Sequence, residues 1–157
     1  MTGQIDQVFD QVQLDVFNNV SLGAAGLAEG TNAHTIKTSN ILHYRIGGQA
    51  YVKAATDNID MTALAVQASG TTAYYLVVIN AAGTVTLVAP PTARTGDPDT
   101  TGLLLGALPA DSAVIGILKV VATAAFTSGT TDLAGQGTFA DINSYPPNGD
   151  PTVFTYA

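Results

Sequence analysis

The sequence predicts a mainly β domain, an antiparallel sandwich or small barrel. Three observations lead there. The 157-residue chain holds 21 Thr, 24 Ala and 16 Gly but only 11% charged residues, less than half the roughly 25% of an average soluble protein. Short runs rich in β-branched and aromatic residues recur along it, most clearly YYLVVINAAGTVTLVA at 74–89. Gly-, Pro- and Asn-containing turns divide those runs, as they do in β-sandwiches and barrels.

The length suits one domain with a core of its own. Residues 1–22 differ from the rest and read as an arm. Ile5, Phe9, Val12 and Val16 follow the 4-3-4 spacing of a coiled-coil seam, over only two heptads. The stretch VQLDVF within it alternates, so a strand stays open beside a short helix. Such an arm either lies on its own domain or ties subunits together. SLGAAGLAEGTN, 21–32, reads as a connector.

The β domain is expected over 33–142. TIKTSNILHYRI alternates, with Ile36, Thr38, Leu42, Tyr44 and Ile46 of one parity, and Gly47-Gly48 is a hairpin turn. QAYVKAAT returns; pairing Tyr44 with Tyr51 sets Leu42 opposite Lys53. Thr56-Asp57-Asn58 is a turn signal, and 59–68 reads as strand.

In the 74–89 hairpin, Asn80-Ala81-Ala82-Gly83 has turn chemistry. Pairing Ile79 with Thr84 puts Leu76, Val78, Val85 and Leu87 on one face. Tyr75, Val77, Ile79, Thr86 and Val88 then share the other. Both faces are apolar, and a hairpin on a small monomer needs only one dry face. The second is expected under a partner chain or under the 113–126 strand of the same chain. Residues 90–102, PPTARTGDPDTTG, form a long loop. AVIGILKVVATAAF, 113–126, reads as a buried strand bent at Gly116. SGTTDLAGQGTFAD, 128–141, looks loop-like, and 143–157 form a proline-rich tail.

Several function classes find no support. The longest apolar run, 113–126, is interrupted by Lys119 and falls short of the ~20 residues of a spanning helix. MTGQIDQVFD lacks the basic and apolar regions of a secretory signal, so a soluble, unprocessed chain is expected. Lys37, Arg45, Lys53, Arg94 and Lys119 are scattered on a chain of net charge −7, whereas nucleic-acid binding needs clustered cations. There is no cysteine. His34 and His43 have neither a nucleophile nor a ligand partner at a recognisable spacing. Asp57 with Asp60 and Asp97 with Asp99 are close pairs, and the second could hold calcium, but the EF-hand pattern is absent. No cofactor is expected. Tyr44, Tyr51, Tyr74 and Tyr75 either border the core or line a glycan- or protein-binding surface.

Three stretches together, HYRIGGQAYVKAATDNIDMTA (43–63), YYLVVINAAGTVTL (74–87) and LPADSAVIGILKVVATAAFTSGTTDL (108–133), resemble virion structural proteins of tailed bacteriophages, of the head decoration, cement or head-fibre type. The resemblance omits the arm and the tail. It implies a non-enzymatic protein, a homotrimer on the outer capsid surface of the virion, with the major capsid protein as partner. Ile5, Phe9, Val12, Val16, Tyr75, Val77, Ile79 and Val88 would make the oligomer or capsid interface. A trimeric fibre or spike that binds a host-surface glycan or protein is the alternative.

Overall fold

A computed structural model describes residues 19–91, the backbone of 94–95, and 106–142. The described part is all β, with eleven strands in three antiparallel sheets. Sheet I has the order β1 (Val20–Ser21), β4 (Leu42–Ile46), β5 (Gln49–Lys53). Sheet II runs β11 (Gly137–Asp141), β10 (Ser112–Val121), β7 (Thr71–Asn80), β8 (Val85–Val88), with β9 (Arg94–Thr95) also on β7. Sheet III is β2 (Leu27–Glu29), β3 (Thr35–Thr38), β6 (Thr56–Asp60).

Sheets I and III pack on one face of sheet II, which makes the fold sandwich-like. One core joins Leu42, Tyr44 and Ile46 of sheet I, Leu27 and Ile36 of sheet III, and the Tyr75, Val77, Ile79, Ile115 and Leu118 row of sheet II. Met61, Phe126 and Leu133 close it from the loops.

The structure corrects several expectations. The alternating run at 35–46 is two strands in two sheets, because Ser39-Asn40-Ile41 turns the chain between them. Ser39 N and Asn40 N donate to Gly26 O and Ala25 O, which fixes that corner. The Thr56-Asp57-Asn58 stretch is strand, bulged against β3 with Asn58 at φ 53°. In the rest of that stretch, 61–68, only Gln67 pairs, in a bridge to Phe126. The stretches read as connector and loop hold β1, β2 and β11, so the sheets begin before residue 33. These strands are short, and two contain Gly or Ala where apolar alternation would otherwise show.

The 74–89 hairpin forms with a register one residue away from the expected one. Ile79 faces Val85, not Thr84, because Asn80 N donates to Thr84 O and leaves a three-residue loop. Gly83 N donates to Asn80 O, and Gly83 takes φ 77°. A one-residue slip moves the partner strand's side chains to the opposite face. Val85 and Leu87 therefore join Tyr75, Val77 and Ile79 in the core, while Val88 joins Tyr74, Leu76 and Val78 behind it.

β10 is bent where it was expected to be. Val114 pairs Val78 and Gly116 pairs Val77, so Ile115 is the extra residue of a β-bulge.

Candidate functional site

The expected sites come first. Ile5, Phe9, Val12, Val16, Asp97 and Asp99 lie outside the described residues, as do most of the 90–102 loop and the tail. Tyr75, Val77 and Ile79 are 3%, 0% and 0% exposed within one chain. They are core, so placing them at an interface is corrected: sheets I and III of the same chain cover that face of β7. Val88 is half-buried on the other face of sheet II. There Tyr74, Leu76, Val78 and Ile117 are buried in a second, smaller cluster, flanked by Val88 and Val114. All its described apolar members come from β7, β8 and β10. Lys119 Nζ stands 5.7 Å from the Tyr74 ring centroid, a cation–π distance.

The tyrosines do not form one platform. Tyr75 Oη donates to Gln67 Oε1 at 3.0 Å, and Gln67 Nε2 donates to Thr71 O and Val120 O, so a buried polar network ends inside the core. Burial pushes the Tyr75 hydroxyl pKa up. Tyr44 stacks on Tyr51 at 5.5 Å between centroids. Burial first, and then Tyr51, raises the pKa of Tyr44.

His34 and His43 are exposed, on a loop and on β4. Asp57 accepts from Thr31 Oγ1 at 2.5 Å, from Thr31 N at 3.0 Å and from Asn58 N at 2.8 Å. Those bonds, the Thr31 hydroxyl foremost, lower its carboxyl pKa. With Asn58 Oδ1 accepting from Asn32 N and Thr35 Oγ1, they pin the 30–35 loop onto β6. This is a structural clasp. Among the described residues no group of three or more His, Cys, Asp or Glu is placed to hold a metal, and no helix is long and apolar enough to cross a membrane.

One surface feature was not read from the sequence. β4 alternates with period two, so Leu42, Tyr44 and Ile46 point into the core while His43 and Arg45 point out. Tyr44 faces Ser21 and Tyr51, so its neighbours in sequence line up across three strands on the outer side. His43 faces Val52, and Leu22 N donates to His43 O at 2.8 Å. Leu22, His43 and Val52 thus make one outward row. Ile41 extends it beyond β4. Leu22 is 42%, Ile41 63% and Val52 62% exposed, and Ala50 and Ala54 are also exposed.

The face is held stiffly. Gly47 and Gly48 take φ 58° and 77°, the conformation a two-residue hairpin loop requires. The Arg45 guanidinium donates through Nε and Nη2 to Gly48 O at 3.2 and 2.8 Å. Asn19 Oδ1 accepts from Gly47 N at 2.7 Å. On the outer side β4 presents His43 and Arg45, whereas Lys53 pairs with Leu42 and lies on the core side of sheet I. The outer side of sheet I is an exposed apolar surface, with Leu22, Ile41 and Val52 open to water. Comparison with family models, with curated proteins and with solved structures finds no match to this chain.

Proposed function

We propose that this chain is a non-enzymatic structural protein of a tailed-bacteriophage virion, a homotrimer that binds the outside of the assembled capsid and stabilises it. The observation that carries this reading is the exposed apolar face of sheet I. Large apolar side chains stand open to water on a rigid sheet, which is how an interface looks before its partner arrives. The sequence resemblance supplies the partner class. Its three stretches take in most of the β4–β5 and β7–β8 hairpins and all of the bulged β10, and so much of the core and, on the open face, His43 and Val52.

The mechanism is linkage. A protein that binds assembled shell and not loose subunits shifts the equilibrium toward intact shell by mass action. No covalent step is required.

The fibre or spike reading placed the tyrosines and the 90–102 loop at a site for a host-surface glycan or protein, and most of that loop lies outside the described residues. Tyr74 and Tyr75 are both 3% exposed, so that reading loses the tyrosine part of its site. The test is genetic. Virions lacking the protein should assemble and then lose DNA at lower temperature, and wild-type virions should carry it at a copy number set by one symmetry axis of the shell. A protein absent from purified virions would end the proposal.

A further inference from the structure

We infer that the open edge of β5 takes a strand from the N-terminal arm of a neighbouring copy, with Val16 opposite Val52, Asp15 opposite Lys53 and Phe17 opposite Tyr51. The inference deepens the reading above by saying how copies join. It rests on the trimeric part of that reading alone, and it leaves the outer face of sheet I to the shell.

β5 ends sheet I, and no described strand pairs with its far side. The ladder shows which groups face that side. His43 O accepts from Leu22 N, so His43 turns its backbone away from β5, and His43–Val52 is a non-bonded pair of the β4–β5 ladder. Val52 therefore aims its N–H and C=O at the open edge, and Ala50, two residues before it, does the same. Both residues are exposed. A row of open backbone groups is a template for another strand. β6 ends sheet III in a similar way, but Asp57 and Asp60 charge that edge. β5 has only Lys53, whose side chain lies on the core side.

The occupant is written just before sheet I. VQLDVF, 12–17, alternates and ends two residues before Asn19. With Val16 opposite Val52 in an antiparallel pair, Val12, Leu14 and Val16 fall on the outer side and lengthen its apolar row. Asp15 and Phe17 fall on the core side, and opposed side chains on one face of a ladder meet. Phe17 then covers Tyr51, which is half-buried and stacked on Tyr44. Asp15 meets Lys53, which is half-buried and makes no ion pair among the described residues. Residues 1–18 carry Asp6, Asp10 and Asp15 and no Lys or Arg. A second β5 across a two-fold axis would instead set Lys53 against Gln49, and it would close a pair rather than a ring.

The arm comes from another copy because the chain's own arm cannot reach this register. Val20 pairs Arg45, and Arg45 pairs Ala50, so Val20 lies beyond β4. It stands three strand spacings, about 14 Å, from a strand on the open side of β5. Phe17 is three residues from Val20, a reach of about 10 Å. Arm and edge are different surfaces, and such a contact closes a ring when the rotation allows.

The chain has no cysteine, so an engineered pair reports the contact. Residues opposed in a non-bonded antiparallel pair stand about 4.5 Å apart at Cα, within the span of a disulfide. Asp15→Cys with Lys53→Cys in one chain should oxidise to covalent dimers and trimers on a non-reducing gel. Mixing the two single variants should give dimers holding one of each. Val16→Pro and Val52→Pro each remove a donor from the bonded pair. Each should return the light-scattering mass to the 16.0 kDa of one chain, with an unchanged far-ultraviolet spectrum. Ile41→Glu, on the outer face, should keep the wild-type mass. A wild-type monomer, no disulfide, or a disulfide closed within one chain overturns the inference. So does an association that survives Val16→Pro, which would give the edge to another strand, or one that Ile41→Glu abolishes. A trimer that ignores assembled shells ends the capsid reading and leaves this inference standing.

Discussion

The Leu27 side chain occupies the space that a side chain on Gly116 would need. A Cβ at Gly116 would collide with Leu27 Cδ1 and would stand 2.6 Å from Ala140 O. Asp141 Oδ1 accepts from Leu27 N at 3.0 Å, which fixes Leu27 over this point. Sheet III is thereby locked onto the bulged strand of sheet II, and a glycine is what allows the close approach.

Gly116→Ala should therefore destabilise the fold by roughly 1–3 kcal/mol, the usual cost of overpacking. Leu27→Ala should cost about 2–5 kcal/mol through the cavity it leaves. The double variant should cost less than the sum, since removing Leu27 relieves one of the two clashes. Denaturant midpoints of the four proteins measure this, and strict additivity would mean that the contact is not as described.

Tyr75→Phe should cost about 1–3 kcal/mol, because it leaves Gln67 Oε1 buried without its donor. The ring still packs 6.2 Å from Phe126, so the loss reports the hydroxyl. The raised pKa of Tyr75 adds a pH signature. A raised folded value contributes stability that is present below the ordinary tyrosine value of about 10 and lost as pH climbs through the folded one. Wild type should lose melting temperature faster than Tyr75→Phe above pH ~10.

Asp57 predicts the acid limb. Its folded pKa is lowered, chiefly by the Thr31 hydroxyl. A lowered value contributes stability present above the ordinary aspartate value of about 3.9 and lost as pH falls through the folded one. Melting temperatures at pH 7 and pH 3 should therefore differ more in wild type than in Asp57→Asn. An equal difference would assign the acid sensitivity to other carboxylates.

The turn of the 80–84 loop gives a register test. Asn80 Oδ1 accepts from Ala82 N and Thr84 N, both at 3.0 Å. Asn80→Ala should cost about 1 kcal/mol, and Gly83→Ala should cost about the same through its positive φ. An unchanged melting temperature in both would contradict the three-residue loop.

The β class, both hairpins and the bend at Gly116 were legible, because period-two runs and Gly turns act locally. The face assignment at 74–89 was not. It depended on whether Asn80 closes on Gly83 or on Thr84, and the sequence admits both; Asn80 does both, through its carbonyl and its N–H. β2 was hidden because LAE follows Gly26 in a Gly- and Ala-rich stretch and is a strand only through Thr38, Lys37 and Ile36 across from it. The outer face of sheet I was unread for a different reason. His43, Val52 and Leu22 are far apart in sequence, and only the strand register brings them into one row.

The most direct measurement of the capsid reading is co-sedimentation of the purified protein with assembled, undecorated shells and, in parallel, with the unassembled shell subunit. Saturable binding to shells at a fixed copy number, with none to loose subunits, is the predicted result. Equal binding to both forms, or binding to neither, would contradict stabilisation by mass action.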